Sequence, residues 1–206
     1  MARKTVRSLW ADKLAGKLDK PGTVANDRMR DSDSALAERL GIGKRVPFHG
    51  LVLGVDPSLR ATGLAVVDFT GSREGRLVVT STVRSKATAT MPECLAAIFT
   101  AITSLLETYA IRHTAVEQTI FVQNFQTAQI LGAARGAALA AAALKQQAIF
   151  EYPPLRVKQA VVGFGRASKE QVTKQIRSLL HLPAELPFDE ADAVAVALCH
   201  ALTWRE

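Results

Sequence analysis

Residues 51–63 read LVLGVDPSLRATG: an apolar run that ends in Asp56, then a proline, polar residues and Gly63. The run has the length and content of a buried strand, and its last residue is an acid. A carboxylate at the end of such a strand carries a desolvation cost unless it is paired or put to use. An Asp-Pro turn would account for it structurally. The decision between turn and site therefore rests on what else the chain places beside this strand.

Downstream, GLAVVDF and RLVVTSTVR have the composition of two further strands, linked through PSLRAT and TGSREG as hairpins. PECLAAIFTAITSLLETY carries apolar residues at helical spacing, with Pro92 suited to a helix N-terminus. HTAVEQTI follows as a fourth strand. Asn124 is placed to cap the helix NFQTAQILGAARGAALAAAALKQQ, and AIFEY is a fifth strand. A short helix near LRVKQAVVG, a helix SKEQVTKQIRSLLH with capping-box spacing from Ser168 to Gln171, and a last helix FDEADAVAVALCHALTW complete the pattern. Three hairpin-linked strands followed by alternating helices and strands predict an α/β fold with a sheet of mixed direction.

Four acids stand among apolar neighbours. Asp56 ends the first strand, Glu117 lies in the fourth, and Asp189 and Asp192 sit three apart on one face of the last helix. Taken singly, Asp56 reads as a turn residue, and Asp189 as a helix N-cap with Asp192 answering the helix dipole. Glu117 resists such an account, since no cation lies within its strand. Together the four can form an oxygen-rich cage for hard divalent cations. Two such ions could activate water and stabilise a leaving alkoxide at a phosphodiester.

The charge balance fits that substrate. The 206 residues carry a formal charge of +7, which suggests an anionic partner such as nucleic acid. Residues 1–47 hold 11 Lys or Arg against 6 Asp or Glu, leaving 15 against 13 beyond them. They are read as a basic, flexible N-terminal extension with one short helix begun by Ser34 and stopped by Gly41, and residues 48–206 as the globular domain. A solvated tail without a task is the alternative for the extension. Cys94 and Cys199 sit in apolar helical patterns and are read as reduced core residues. His49, His113 and His181 fall in loops or near element ends, and His200 is read as a core or edge residue. No apolar run is expected to reach the roughly 20 residues that cross a bilayer. With no signal peptide evident, a cytoplasmic location is expected.

The segments LGVDPSLRATGLAVV, AVEQTIFVQNFQTAQILGAARGAALAAA, FEYPPLRVKQAVVGFGRASKEQV, LLHLP and DEADAVAVALCH resemble, in order, those of the RuvC family of bacterial Holliday-junction resolvases. The resemblance spans residues 50–202. It implies an RNase H-like fold, a mixed five-stranded sheet flanked by helices. It implies that Asp56, Glu117, Asp189 and Asp192 are the metal-binding catalytic acids, serving Mg²⁺ (or Mn²⁺) at two ions per site. It further implies that Lys158 and Lys169 lie near the cleaved phosphate. Arg166 adds local positive charge without a clear family counterpart. The implied activity is symmetric nicking of four-way DNA junctions by a homodimer, with the junction-migrating RuvA–RuvB complex as partner. The helix bearing Gly132 and Gly136 suits either a dimer interface or a tight core.

Besides the basic N-terminal extension, which is not a usual family feature, two departures are visible. Ser58 stands where the family commonly has glycine, which matters if that residue needs positive φ. Ile120 stands where the family usually has an aromatic, with Phe121 next to it as a substitute for stacking on a junction base. Three rival functions stand beside this one: an RNase H-like nuclease for other branched DNA or structured RNA using the same acids, an actin-type ATPase suggested by the loop-like DPSLRATG, and a non-catalytic junction binder. The second lacks a second phosphate loop, and the third does not explain four retained acids.

Overall fold

A computed structural model describes residues 46–71, 74–119 and 124–205. The basic extension and its short helix, and Phe121 with Ile120, fall outside the described residues, apart from Val46 and Pro47. Among the described residues ten elements follow in order: β1 Leu51–Asp56, β2 Ala61–Asp68, β3 Arg76–Arg84, α1 Met91–Thr108, β4 Ile111–Glu117, α2 Phe125–Leu144, β5 Ala148–Tyr152, α3 Pro154–Val162, α4 Lys169–Leu179 and α5 Phe188–Thr203. β4 ends at Glu117, earlier than the pattern HTAVEQTI suggests. Gln118 N–H still donates to Tyr152 O at 2.9 Å, after which the chain leaves the sheet.

The strands form one five-stranded sheet in the order β3-β2-β1-β4-β5. β1 and β3 both run antiparallel to β2, whereas β1–β4 and β4–β5 are parallel, so the sheet is mixed as expected. Side chains alternate between its faces. Leu53, Val55, Leu64 and Val66 pack on Cys94, Ile98 and Ile102 of α1 and on Ala134 and Ala138 of α2. Val52, Ala65, Val67 and Ala115 face the other way, onto α5 and the inner sides of α3 and α4. Alternation places Asp56 with Val52, and Glu117 with Ala115, on the α5 side. A three-layer domain results, with both cysteines buried and reduced.

α5 is apolar on nearly every side because it is buried on nearly every side. From Ala191 to His200 only Asp192 retains partial exposure. It lies so close to the sheet that glycine is required beneath it. A Cβ on Gly54 would stand 2.1 Å from the Ala193 carbonyl oxygen, and one on Gly63 only 1.9 Å from that of Asp189. The other end of α5 is fixed by polar contacts. His200 Nε2 lies 2.9 Å from His113 Nδ1 on β4, and its Nδ1 lies 2.7 Å from the Tyr152 hydroxyl at the end of β5. Phe48, Phe150 and Trp204 enclose this pair of rings. His113 thus lies within a strand and inside the core, a more central place than its sequence position suggested.

Helix starts follow their local chemistry. Ser168 and Gln171 form the expected capping box on α4, and Asn124 accepts from Thr127 N–H at 3.0 Å to cap α2. α5 differs: Pro187 is its N-cap, so Asp189 lies inside the first turn and is not the cap. α2 also departs from expectation, for it is long and apolar enough to meet the length and composition of a bilayer span, with mean hydropathy 1.3. Part of that apolar character is accounted for within the fold. Ala134, Ala138, Ala141 and Ala142 are buried, and Arg135 Nε donates to Glu151 Oε1 of β5 at 2.6 Å.

Candidate active site

Asp56 and Glu117 end neighbouring parallel strands at one rim of the sheet, one step beyond the paired Val55 and Val116. Their carboxyl groups act on each other directly, an interaction that opposes the rise in pKa at Asp56 and adds to that at Glu117. Burial holds both above the ordinary carboxylate range, and for Glu117 the Asp56 charge adds to that effect. A strand end fixes each carboxyl rigidly, which is why the pair cannot simply turn away into water. The turn after β1 is closed by Thr62, whose hydroxyl accepts from Ser58 N–H at 3.1 Å and donates to Ser58 O at 2.5 Å. Ser58 is not among the described residues with positive φ, so its side chain meets no backbone strain there.

The α5 acids reach the same rim because Asp56 pairs with Gly63, and Gly63 admits the first turn of α5. The charges of Asp192 and Asp189 both act on Asp56, and that of Asp192 on Glu117. Each α5 acid also has a cation of its own. Arg84 at the end of β3 lies 3.4 Å from Asp189 Oδ2, and Lys169 Nζ lies 2.8 Å from Asp192 Oδ2. The Lys169–Asp192 hydrogen bond raises the lysine above its usual range. Glu190, between the acids in sequence, accepts from the Thr80 hydroxyl at 2.5 Å and so moors α5 to β3.

The four acids supply hard oxygen donors, and their mutual repulsion is what a divalent ion relieves, so the donor set fits such ions. As placed, no three His, Cys, Asp or Glu side chains among the described residues lie close enough together to share one ion. Asp56 and Glu117 meet, while Asp189 and Asp192 stand beside them, each held by its cation. A cleft of about 150 Å³ opens next to the first pair, lined by Asp56, Pro57, Glu117, Gln118, Thr119, Leu131 and Pro154. Asp189 and Asp192 do not line it.

Of the expected basic residues, Lys169 is in the site through Asp192. Lys158, on α3, donates to Ala167 O at 2.9 Å and so ties α3 to the start of α4. Arg166 is exposed on the connection between those helices. Sequence reasoning passed over Arg84, Gly54 and Gly63. A glycine inside a strand signals close backbone approach, and Gly54 could have been found that way. Arg84 carries no such signal, because its partner lies 105 residues away.

The geometry joins a set of comparisons. The profile of the family described as crossover junction endodeoxyribonuclease RuvC matches residues 52–200. The RuvC of Pelotomaculum thermopropionicum is 41% identical over 157 residues, which cover 75% of this chain and 95% of that protein. The RuvC of Trichlorobacter lovleyi is 45% identical over 149 residues, covering 72% and 83%. Among solved structures, that of T. thermophilus RuvC in complex with Holliday junction substrate superposes with a TM-score of 0.70 at 34% identity, covering 75% of this chain and 94% of that one. The profile match runs from the second residue of β1 to the last buried residue of α5 and takes in all four acids. This chain belongs to the crossover junction endodeoxyribonuclease RuvC family, and its fold is RNase H-like.

Proposed function

We propose that this protein is an endodeoxyribonuclease that resolves four-way DNA junctions by paired symmetric nicks, in recombination and repair. Asp56, Glu117, Asp189 and Asp192 would hold Mg²⁺, two ions per site, with Mn²⁺ as a substitute. The observation that carries this reading is the pair of carboxyls held against each other at the sheet rim, beside two further acids on α5. Such a cluster is electrostatically unfavourable by itself and becomes favourable around divalent cations. Bound ions would supply a water of lowered pKa and stabilisation of the departing oxyanion.

The chain's own residues do the rest. Asp56, rigid at its strand end, fixes where the scissile phosphate must lie. Glu117, which burial and the Asp56 charge hold above the ordinary carboxylate range, would be the acid whose proton competes with a cation. Lys169, held on Asp192 at the edge of the cluster, would be the residue placed to meet a phosphate oxygen, with Lys158 and Arg166 extending that positive side along the DNA. DNA as substrate makes the cytoplasm the proposed compartment. A homodimer matches two equal sites to a junction of near two-fold symmetry. Its proposed interface is the outer face of α2, where Phe125 and Leu144 are 75% and 73% exposed. The RuvA–RuvB complex is the proposed partner on grounds of family membership alone.

The test is cleavage of a synthetic four-way junction with mapped cut sites. Mg²⁺-dependent nicks at symmetry-related positions are expected, with little action on linear duplex, and Asp56→Asn should lower the rate by at least about 100-fold, the scale of losing a preorganised charge contact. Normal cutting by Asp56→Asn would remove the metal-site assignment. Cuts confined to other branched DNA or structured RNA would instead assign the chain a different substrate.

A further inference from the structure

The positive residues proposed so far, Lys158, Arg166 and Lys169, all come from α3, α4 and the segment between them. A nucleic-acid strand crossing the acids has phosphates on both sides, and each one faces the same negative cluster. The opposite side of the site is formed by the ends of β2 and β3. There the ladder runs from Asp56 to Gly63 to Thr82, and Ala61 pairs with Arg84, so Arg84 sits at the same rim as the acids.

The backbone at this point is held firmly. Ser85 N–H donates to Arg60 O at 3.1 Å, and the Arg60 guanidinium donates to Lys86 O and contacts Cys94 Sγ at 3.7 Å. The Arg84 side chain itself is 68% exposed and touches Asp189, 32% exposed, at 3.4 Å. An exposed pair of this kind holds its partners weakly. A divalent ion on Asp189 takes the carboxylate's charge and repels the guanidinium. The guanidinium stays charged at any working pH, and its planar fork of N–H donors matches a phosphate.

We propose that Arg84 is a phosphate-binding residue of the β3 side, held on Asp189 until a divalent cation takes that carboxylate and then gripping the nucleic-acid backbone. This rests on the metal-dependent reading above. Arg60, whose guanidinium is held on the Lys86 carbonyl, and Lys86 itself follow on the same edge. Arg84 therefore plays opposite parts toward the two ligands: it competes with the metal and assists the DNA.

That opposition supplies the test. Full-length wild type, Arg84→Ala and Arg84→Lys are compared by calorimetry with Mn²⁺ alone, and by junction binding across a salt series with Ca²⁺ present. Arg84→Ala is expected to bind Mn²⁺ up to about fivefold tighter, the most that losing an exposed pair releases. Its junction affinity should fall, with a log–log salt slope shallower by about one. Arg84→Lys should restore the slope. Arg84 is exposed, so unfolding temperatures should match and a folding defect would not imitate the result. An unchanged salt slope, or Mn²⁺ binding no tighter than wild type, overturns the proposal. Neither readout requires cutting, so failure here is distinct from a wild-type protein that does not nick junctions.

Discussion

Gly63 links the two halves of the acid cluster more tightly than any charged residue. It pairs with Asp56 on one side and lies under the Asp189 carbonyl on the other, so one missing Cβ sets the spacing between strand acid and helix acid. Gly63→Ala is expected to push the first turn of α5 outward. Overpacking of this kind destabilises by roughly 1–3 kcal/mol, and a displacement near 1 Å in a reacting group lowers turnover by about 100-fold. Thermal unfolding and junction nicking measure the two effects, and full activity in Gly63→Ala would contradict the close-approach account. Asp56 and Glu117 stood out in the sequence because a charge among Val and Leu needs a partner or a task. Gly63 was not, since a glycine after a turn has many. The polar pair His113–His200 was equally hidden, for its members are 87 positions apart and only the fold brings them together.

At the level of elements, helices and strands were legible to within a few residues because capping boxes, prolines and alternation act locally. What a helix packs against is set by distant chain, and α2 shows the difference. Its alanines suited a core and an interface equally well in sequence, and the structure divides them. Ala134, Ala138, Ala141 and Ala142 point inward, while a Cβ added at Gly132 or Gly136 would meet nothing within 4 Å. Gly136→Glu therefore has room in the monomer, and the change from glycine raises helix propensity by about 0.5–1 kcal/mol. If the outer face of α2 joins two copies, this variant should retain its circular dichroism spectrum yet sediment as a monomer at concentrations where wild type is dimeric. An unaltered dimer would move the interface elsewhere.

Across the whole molecule, stability should depend on pH through the two core histidines. Burial lowers both, His200 to about 3, helped by the neighbouring ring of His113; Arg112 adds to the effect on His113. Unfolded imidazoles titrate near 6.5, so below that value the unfolded chain binds protons that the folded chain refuses. Their contribution is complete above about pH 6.5 and declines as the pH falls, by up to about 1.4 kcal/mol per imidazole for each pH unit. Between pH 7.5 and pH 5 the raised carboxyls of Asp56 and Glu117 act in the opposite direction, so the histidine contribution is read as the difference between wild type and a variant with both rings replaced by Asn: in chemical denaturation the double variant should lose less, or gain more, stability on going to pH 5. An equal pH dependence in that double variant would assign the loss to other groups.

The position of α5 in the chain has a consequence in time. Polypeptides are made from the N-terminus onward, at about 5–20 residues per second. Until residues 188–203 have been made, one face of the sheet has no central helix to cover it, and Asp56 and Glu117 are the only acids of the four yet synthesised. The final helix completes the core and the cluster in one event. If the four acids cut DNA together, as proposed above, a growing chain lying against DNA gains that ability only when folding is finished.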